Sequence, residues 1–145
     1  MNFSNFFLPA SPTWTGRALS VLRIVAAFLF ITHGTAKLFG VPVGGPPMPV
    51  PTFFSQMWFA GVLETFGGAL LLIGLLTRPV AFVLSGQMAV AYFQAHLPRS
   101  FWPTLNGGEP AVLFCFIFLY LCVSGAGPWS VDAALARSRR SAPPN

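Results

Sequence analysis

Arg23, His33 and Lys37 lie inside the apolar run from Arg17 to Phe39, and Glu64 is the acidic residue inside a later apolar run. A charged group in hydrocarbon is costly unless paired or hydrated. Each of these side chains therefore needs a partner or a task. A carboxyl among Leu63, Phe66 and Leu70 must be either neutral or ion-paired. Imidazole, ammonium and carboxyl groups at similar depth can hydrogen-bond a ligand carbonyl and exchange a proton. His96, Asn106 and Glu109, further along the chain, are the remaining polar candidates for the same chemistry.

The elements that must position them are membrane helices. The chain has 145 residues, 54% hydrophobic and only 8% charged, whereas soluble domains carry about a quarter charged residues. The formal charge of +5 is spread along the chain and ends in Arg137-Ser138-Arg139-Arg140. That distribution fits a topology signal and excludes a nucleic-acid surface. Cys115 and Cys122 share one apolar run; on a helix they lie roughly 10 Å apart, too far to bridge. They read as packing residues. No spacing of a structural zinc site occurs, and no glycine-rich strand-to-helix sequence suggests a flavin or nucleotide site. The amino terminus lacks the basic region of a removed signal peptide.

Taken in order, Met1 to Thr15 is aromatic and broken by Pro9 and Pro12, which predicts an interfacial segment over residues 1–15. A four-helix transmembrane domain follows over 16–127. Its first helix runs from about Gly16 to Phe39, long enough for the roughly 20 residues a bilayer core requires. Val41 to Pro51 holds five prolines and no charge, which predicts an extended extramembrane loop. The second helix runs from about Gln56 to Leu76, with Gly61, Gly67, Gly68 and Gly74 permitting close backbone approach. The third, from Pro79 to His96, carries Ser85, Gln87, Tyr92 and Gln94, so one side should face protein. The fourth, from Glu109 to Ser124, is the most lipid-like, and Phe114, Phe116 and Phe118 read as lipid-facing bulk. Residues 128–145 form a surface helix, Val131 to Arg139, and a tail. The expected fold is an all-α four-helix transmembrane bundle. Arg17, Arg78, Arg137, Arg139 and Arg140 fall on one side, which predicts both termini in the cytoplasm.

With that topology, His33 lies about 9 Å below the outer end of the first helix and Lys37 about 3 Å, while Glu64 is about 9 Å deep in the second. His33, Lys37, Glu64, His96, Asn106 and Glu109 should thus converge on the outer half of the bundle as a binding cluster. Arg23 at the inner side is expected to anchor at lipid phosphate or to meet Asp132. A metal set of His33, His96, Glu64 and Glu109 has no local spacing to support it. The bland alternative is a polar network that closes the outer end of the bundle.

Several short stretches, in order, resemble the DoxX family of small bacterial membrane proteins. They are His33-Gly34 with Lys37-Leu38, Glu64 with Gly67-Gly68, and Gly74-Leu75 with Thr77-Arg78. Met88-Ala89-Val90-Ala91 with His96, Asn106-Gly107-Gly108-Glu109, and Gly125-x-Gly127 with Ser130-Val131-Asp132 complete the set. The proline content of Val41 to Pro51 departs from the family pattern. The resemblance implies a four-helix protein of the bacterial inner membrane. Some relatives look like small subunits of a thiosulfate:quinone oxidoreductase, and others belong with membrane complexes that handle oxidative and thiol stress.

The resulting expectation is a subunit or scaffold of a redox-linked membrane complex, with a quinone as the cofactor to test. Protein partners in that complex, or further copies of the chain, are the expected company besides lipid. Any enzymatic role would be that of a small oxidoreductase subunit. The alternatives are a small proton-coupled transporter, since buried Glu and His carry protons in transporters, and a structural membrane protein without chemistry of its own.

Overall fold

The computed structural model describes residues 12–41 and 51–141. The first helix spans Pro12–Phe39. Its opening proline supplies a helical φ where no N–H partner is needed. Pro12 to Thr15 therefore continue the helix rather than lying apart from it, and the rest of the expected interfacial segment falls outside the described residues.

The second helix spans Gln56–Ile73. It starts where the Ser55 hydroxyl accepts the Trp58 N–H at 3.2 Å. A π turn interrupts it at Leu63–Gly67, and it ends at Gly74, whose φ of 70° is the left-handed stop that glycine adopts cheaply. The third helix follows almost at once, over Thr77–Ala91, and closes in a second π turn at Tyr92–His96. A short helix, Pro103–Asn106, lies in the next connection. The fourth helix has the bounds expected of it, Glu109–Ser124, and the terminal helix spans Val131–Ser141. The described residues are thus helical with turns between, and most of the predicted Pro-rich loop lies outside them. Among the described helices, Pro12–Phe39 and Gln56–Ile73 are long and apolar enough to cross a membrane, and Glu109–Ser124 is apolar but shorter.

Glycines decide how the first two helices meet. An ideal Cβ at Gly34 would lie 2.6 Å from the Thr65 backbone nitrogen, and one at Gly68 would lie 2.7 Å from the Ile31 side chain. Small residues at these crossings let the backbones approach closely, which is how helices associate where burial from water offers no drive. The third and fourth helices form the other tight pair, tied at mid-length by the Ser85 hydroxyl donating to the Cys115 carbonyl at 2.9 Å. Between the pairs lies a core that includes Ala27, Phe30, Leu71, Leu84, Phe118 and Leu121. Phe30 stands edge-on to Phe118, with ring centroids 4.8 Å apart, and also meets Phe114 at 5.2 Å. Phe118 is fully buried, while Phe116 is 65% exposed. The reading of Phe114 and Phe118 as lipid-facing bulk is therefore corrected: they lie on the inward stripe of the fourth helix, and Phe116 points away from it.

Arg23 closes the end at which the second and fourth helices stop. Its side chain has no exposed surface, so it cannot reach lipid phosphate. Nε donates to the Ala126 carbonyl at 2.8 Å, Nη1 to the carbonyls of Leu72 at 2.6 Å and of Leu71, and Nη2 to that of Trp129. Leu71 and Leu72 belong to the last turn of the second helix, where carbonyls lose their α-helical partners, and the Leu71 carbonyl also accepts the Gly74 N–H at 3.0 Å. A planar fork of donors reaches several diverging carbonyls at once, which no single carboxylate would use fully. Asp132 does not take up the guanidinium either: it accepts the Leu76 and Thr77 N–H groups, both at 2.9 Å. Those bonds hold Leu76 at φ 52°, a left-handed conformation that costs a non-glycine residue about 1–2 kcal/mol. The start of the first helix, the turn between second and third, and the end of the fourth are thereby fastened together.

Two predictions follow from this packing. Gly34→Ala should lower the thermal unfolding midpoint in detergent, because backbone stands in the way of the new methyl, whereas Gly86→Ala, with open space around it, should hold or raise it by up to about 1 kcal/mol of helix propensity. Equal midpoints for the two variants would remove the close-approach argument. Arg23→Ala should cost about 3 kcal/mol or more by stranding buried carbonyls, with Arg23→Lys between it and the native protein. A melting series in another order would contradict the capping role.

Candidate functional site

The π turn at Leu63–Gly67 carries Glu64. One such turn adds a residue to the local repeat and re-aims the side chains around it, and π turns are frequent at functional sites. Glu64 is 1% exposed. Its Oε1 accepts from Lys37 Nζ in an ion pair and from Gln87 Nε2 at 3.0 Å; Gln87 Nε2 also donates to the Ala60 carbonyl at 3.2 Å. First, second and third helices each supply one member. Lys37 keeps 21% of its side chain exposed, so the ammonium bridges the buried carboxylate and the surface.

The second carboxylate oxygen, Oε2, is buried without a hydrogen-bond partner, as are Gln87 Oε1 and Thr65 Oγ1. A carboxylate oxygen and an amide oxygen only accept. Acceptors therefore outnumber donors, the Thr65 hydroxyl being the one unpartnered group there that can also donate, and what the site can take is a proton, a hydroxyl or another N–H or O–H group. A ligand carbonyl would bring a further acceptor, with the Lys37 ammonium, already engaged, and the Thr65 hydroxyl to meet it.

The remaining residues of the expected outer cluster separate into two other places. His33 does not join Glu64 in a hydrogen bond. Its Nδ1 lies 2.8 Å from the Leu29 carbonyl on its own helix, and its ring stands edge-on to Phe114 at 5.8 Å. It lines a groove between the first and fourth helices together with Glu109. His96 and Asn106 belong to the connection between third and fourth helices. His96 Nδ1 lies 3.1 Å from the Asn106 carbonyl, Asn106 Nδ2 donates to the Ser100 carbonyl at 2.7 Å, and Asn106 Oδ1 accepts the Gly108 N–H at 2.7 Å. Tyr92 fastens the same connection by donating to the Phe101 carbonyl at 2.8 Å. Their bonds are those of a loop holding its own backbone, since buried backbone groups demand partners. The four side chains weighed as a metal set thus stand in three separate places.

Gln87 and Thr65 belong to the site and were not anticipated as members. The polarity of the third helix signalled a protein-facing side, but the partner of Gln87 depends on how that helix is rotated against the second.

Removing one partner of a buried ion pair strands the other, and the penalty follows burial. Lys37→Met leaves a nearly fully buried carboxylate, whereas Glu64→Gln leaves a partly exposed ammonium. Lys37→Met should therefore lower the melting midpoint in detergent more than Glu64→Gln does, and the double variant should recover part of the loss. A larger loss in Glu64→Gln would reverse the assignment of which charge the fold carries at a cost.

A protein of Haemophilus influenzae described as uncharacterised is 43% identical over 125 residues, covering 79% of this chain and 87% of that protein. A protein of Mycobacterium tuberculosis described as an uncharacterised membrane protein is 26% identical over 132 residues, 80% of each chain. No solved structure matches. The DoxX family model matches residues 18–97, a stretch that holds Arg23, His33, Lys37, Glu64, Gln87 and His96 and stops before Asn106 and Glu109. With more than half of its length matched, including the whole Lys37, Glu64 and Gln87 site, the chain belongs to the DoxX family.

Proposed function

We propose that this DoxX-family membrane protein is a subunit of a redox-linked complex in the bacterial inner membrane, and that Glu64 exchanges the proton of a quinol bound in the outer half of the bundle. The observation that carries the reading is the buried Glu64 carboxylate, with one oxygen held by Lys37 and Gln87 and the other without a donor. A quinol hydroxyl supplies a donor to that open oxygen, and a carboxylate can take up its proton. Electron transfer in this reading belongs to a partner subunit; this chain supplies binding and proton exchange. The resemblance of family members to quinone-linked and thiol-stress complexes points the same way.

In the bilayer, the four long helical segments cross in alternation, with Arg17, Arg78 and the terminal helix on the cytoplasmic side and His96 and Glu109 on the other. The positive-inside rule supports that orientation, as does the Arg23 network that gathers the first helix and the end of the fourth. In a background with Cys115 and Cys122 replaced by serine, a cysteine at Arg99 should react with an impermeant maleimide from outside intact cells, and one at Arg140 only after lysis. Labelling in the opposite order would invert the topology.

Purification from the native membrane under mild detergent tests the functional reading. Retained quinol and a redox-active protein partner are expected with the native chain, with quinol reduced about tenfold in Glu64→Gln, as loss of one charge-assisted hydrogen bond requires. Retention of neither, or equal quinol in native and variant protein, would set the reading aside. The same open carboxylate oxygen also suits a proton-coupled transporter. Solute uptake by proteoliposomes that follows an imposed pH gradient and disappears in Glu64→Gln would favour that second reading.

A further inference from the structure

The first and fourth helices meet through the rings of Phe30, His33, Phe114 and Phe118, and beside that contact runs a groove of about 440 Å³ between them. Its floor is made by Ala26, Phe114 and Ile117, and its walls by exposed apolar side chains such as Val25, Leu29 and Leu113. His33 and Glu109 stand at one end. A volume in the range of small-ligand sites, lined by apolar side chains with a few polar groups at one end, is the form of a site for an amphiphile.

The chemistry of the polar end narrows the choice. The Leu29 carbonyl can only accept, so His33 Nδ1 donates to it and Nε2 of the neutral ring is left as an acceptor. Glu109 is exposed, and no cation among the described residues pairs with it. It sits in the first turn of the fourth helix, which the helix dipole favours but which gives its carboxylate no counter-ion. Two acceptors, one of them anionic, therefore face the end of an apolar groove. An anionic lipid headgroup would meet like charge there. A choline headgroup has no N–H to donate, and a quinone carbonyl would bring another acceptor. A primary ammonium brings positive charge and three donors, enough to serve both residues.

We propose that the groove between the first and fourth helices binds phosphatidylethanolamine, with the ammonium at Glu109 and His33 and an acyl chain along Val25, Leu29 and Leu113. This site is separate from the Glu64 carboxylate and does not depend on the quinol reading. It uses lipid as a ligand that fills the seam between the two helix pairs and holds them at a set spacing.

The test is native mass spectrometry of the purified, delipidated protein exposed to an equimolar mixture of phosphatidylethanolamine, phosphatidylcholine and phosphatidylglycerol with matched acyl chains. The native chain should retain phosphatidylethanolamine about tenfold over the other two, the effect of one charge-assisted hydrogen bond. Glu109→Gln should abolish the preference, and Glu109→Asp should keep it. Leu113→Trp, which fills the groove from an exposed position and leaves the core untouched, should reduce retention of all three lipids. Equal retention of the three by the native chain, an unchanged preference in Glu109→Gln, or a dimer that buries the groove and excludes lipid would overturn the proposal. Glu64→Gln should leave the lipid preference intact, so failure of the quinol reading and failure of the lipid site remain distinguishable.

Discussion

Hydrocarbon offers no water to a polar group, so a charge placed among apolar helices must find its partners within the protein. In this chain that constraint acts at both ends of the bundle. At one end a guanidinium with no exposed surface gathers carbonyls from the end of the second helix and from the turn after the fourth. Towards the other end a carboxylate with 1% exposure draws Lys37 and Gln87 from two neighbouring helices. Burial from water contributes little to the choice between alternative helix packings inside a membrane. These polar ties, together with close backbone contact, therefore fix which helices adjoin and how far each is rotated.

The two ends do different physical work. Arg23 donates to backbone carbonyls at the end of the second helix and in the turn after the fourth, and its interactions are those of a cap. Glu64 is incompletely served: one oxygen is held twice and the other not at all. Native interiors leave few buried polar atoms without partners, and each exception calls for an explanation. Among the described residues three of the four exceptions cluster, since Glu64 Oε2, Thr65 Oγ1 and Gln87 Oε1 come from a π turn and the side chain that faces it, while Thr77 Oγ1 lies apart at the start of the third helix. Spare acceptors beside a π turn are the feature on which the proton-exchange proposal rests.

The glycines and the groove are two consequences of one arrangement. Gly34 and Gly68 let the first helix lie close against the second, and Ser85 joins the third to the fourth. Two tight pairs meet through Phe30, Phe114 and Phe118. The seam between the first and fourth helices is left open along its lipid-facing side. A helix that packs so closely on one neighbour cannot also close on the other without losing the aromatic core between them.

Much of this was legible in the sequence. The long apolar runs, the stop at Gly125, the bounds of the fourth helix and the need of a buried Glu64 for a proton or a partner follow from hydropathy, glycine placement and the cost of charge in apolar surroundings; the structure ends the second helix at Gly74 rather than near Leu76 and gives the carboxylate to Lys37 rather than to His33. The family itself could be recognised from the order of short stretches. Rotation about each helix axis could not be read in the same way, because in a nearly uniformly apolar segment the hydrophobic period that marks an inward face is absent. Only the tertiary structure turned Phe118 inward and Phe116 outward, gave Gln87 to Glu64, and sent His33 to the groove beside Glu109. It also assigned Arg23 to carbonyls and Asp132 to the Leu76 and Thr77 amides. The sequence by itself determined how far along its helix each polar residue stands, because axial position follows from rise per residue; the tertiary structure decided which way each one faces, because that depends on the neighbours against which each helix packs.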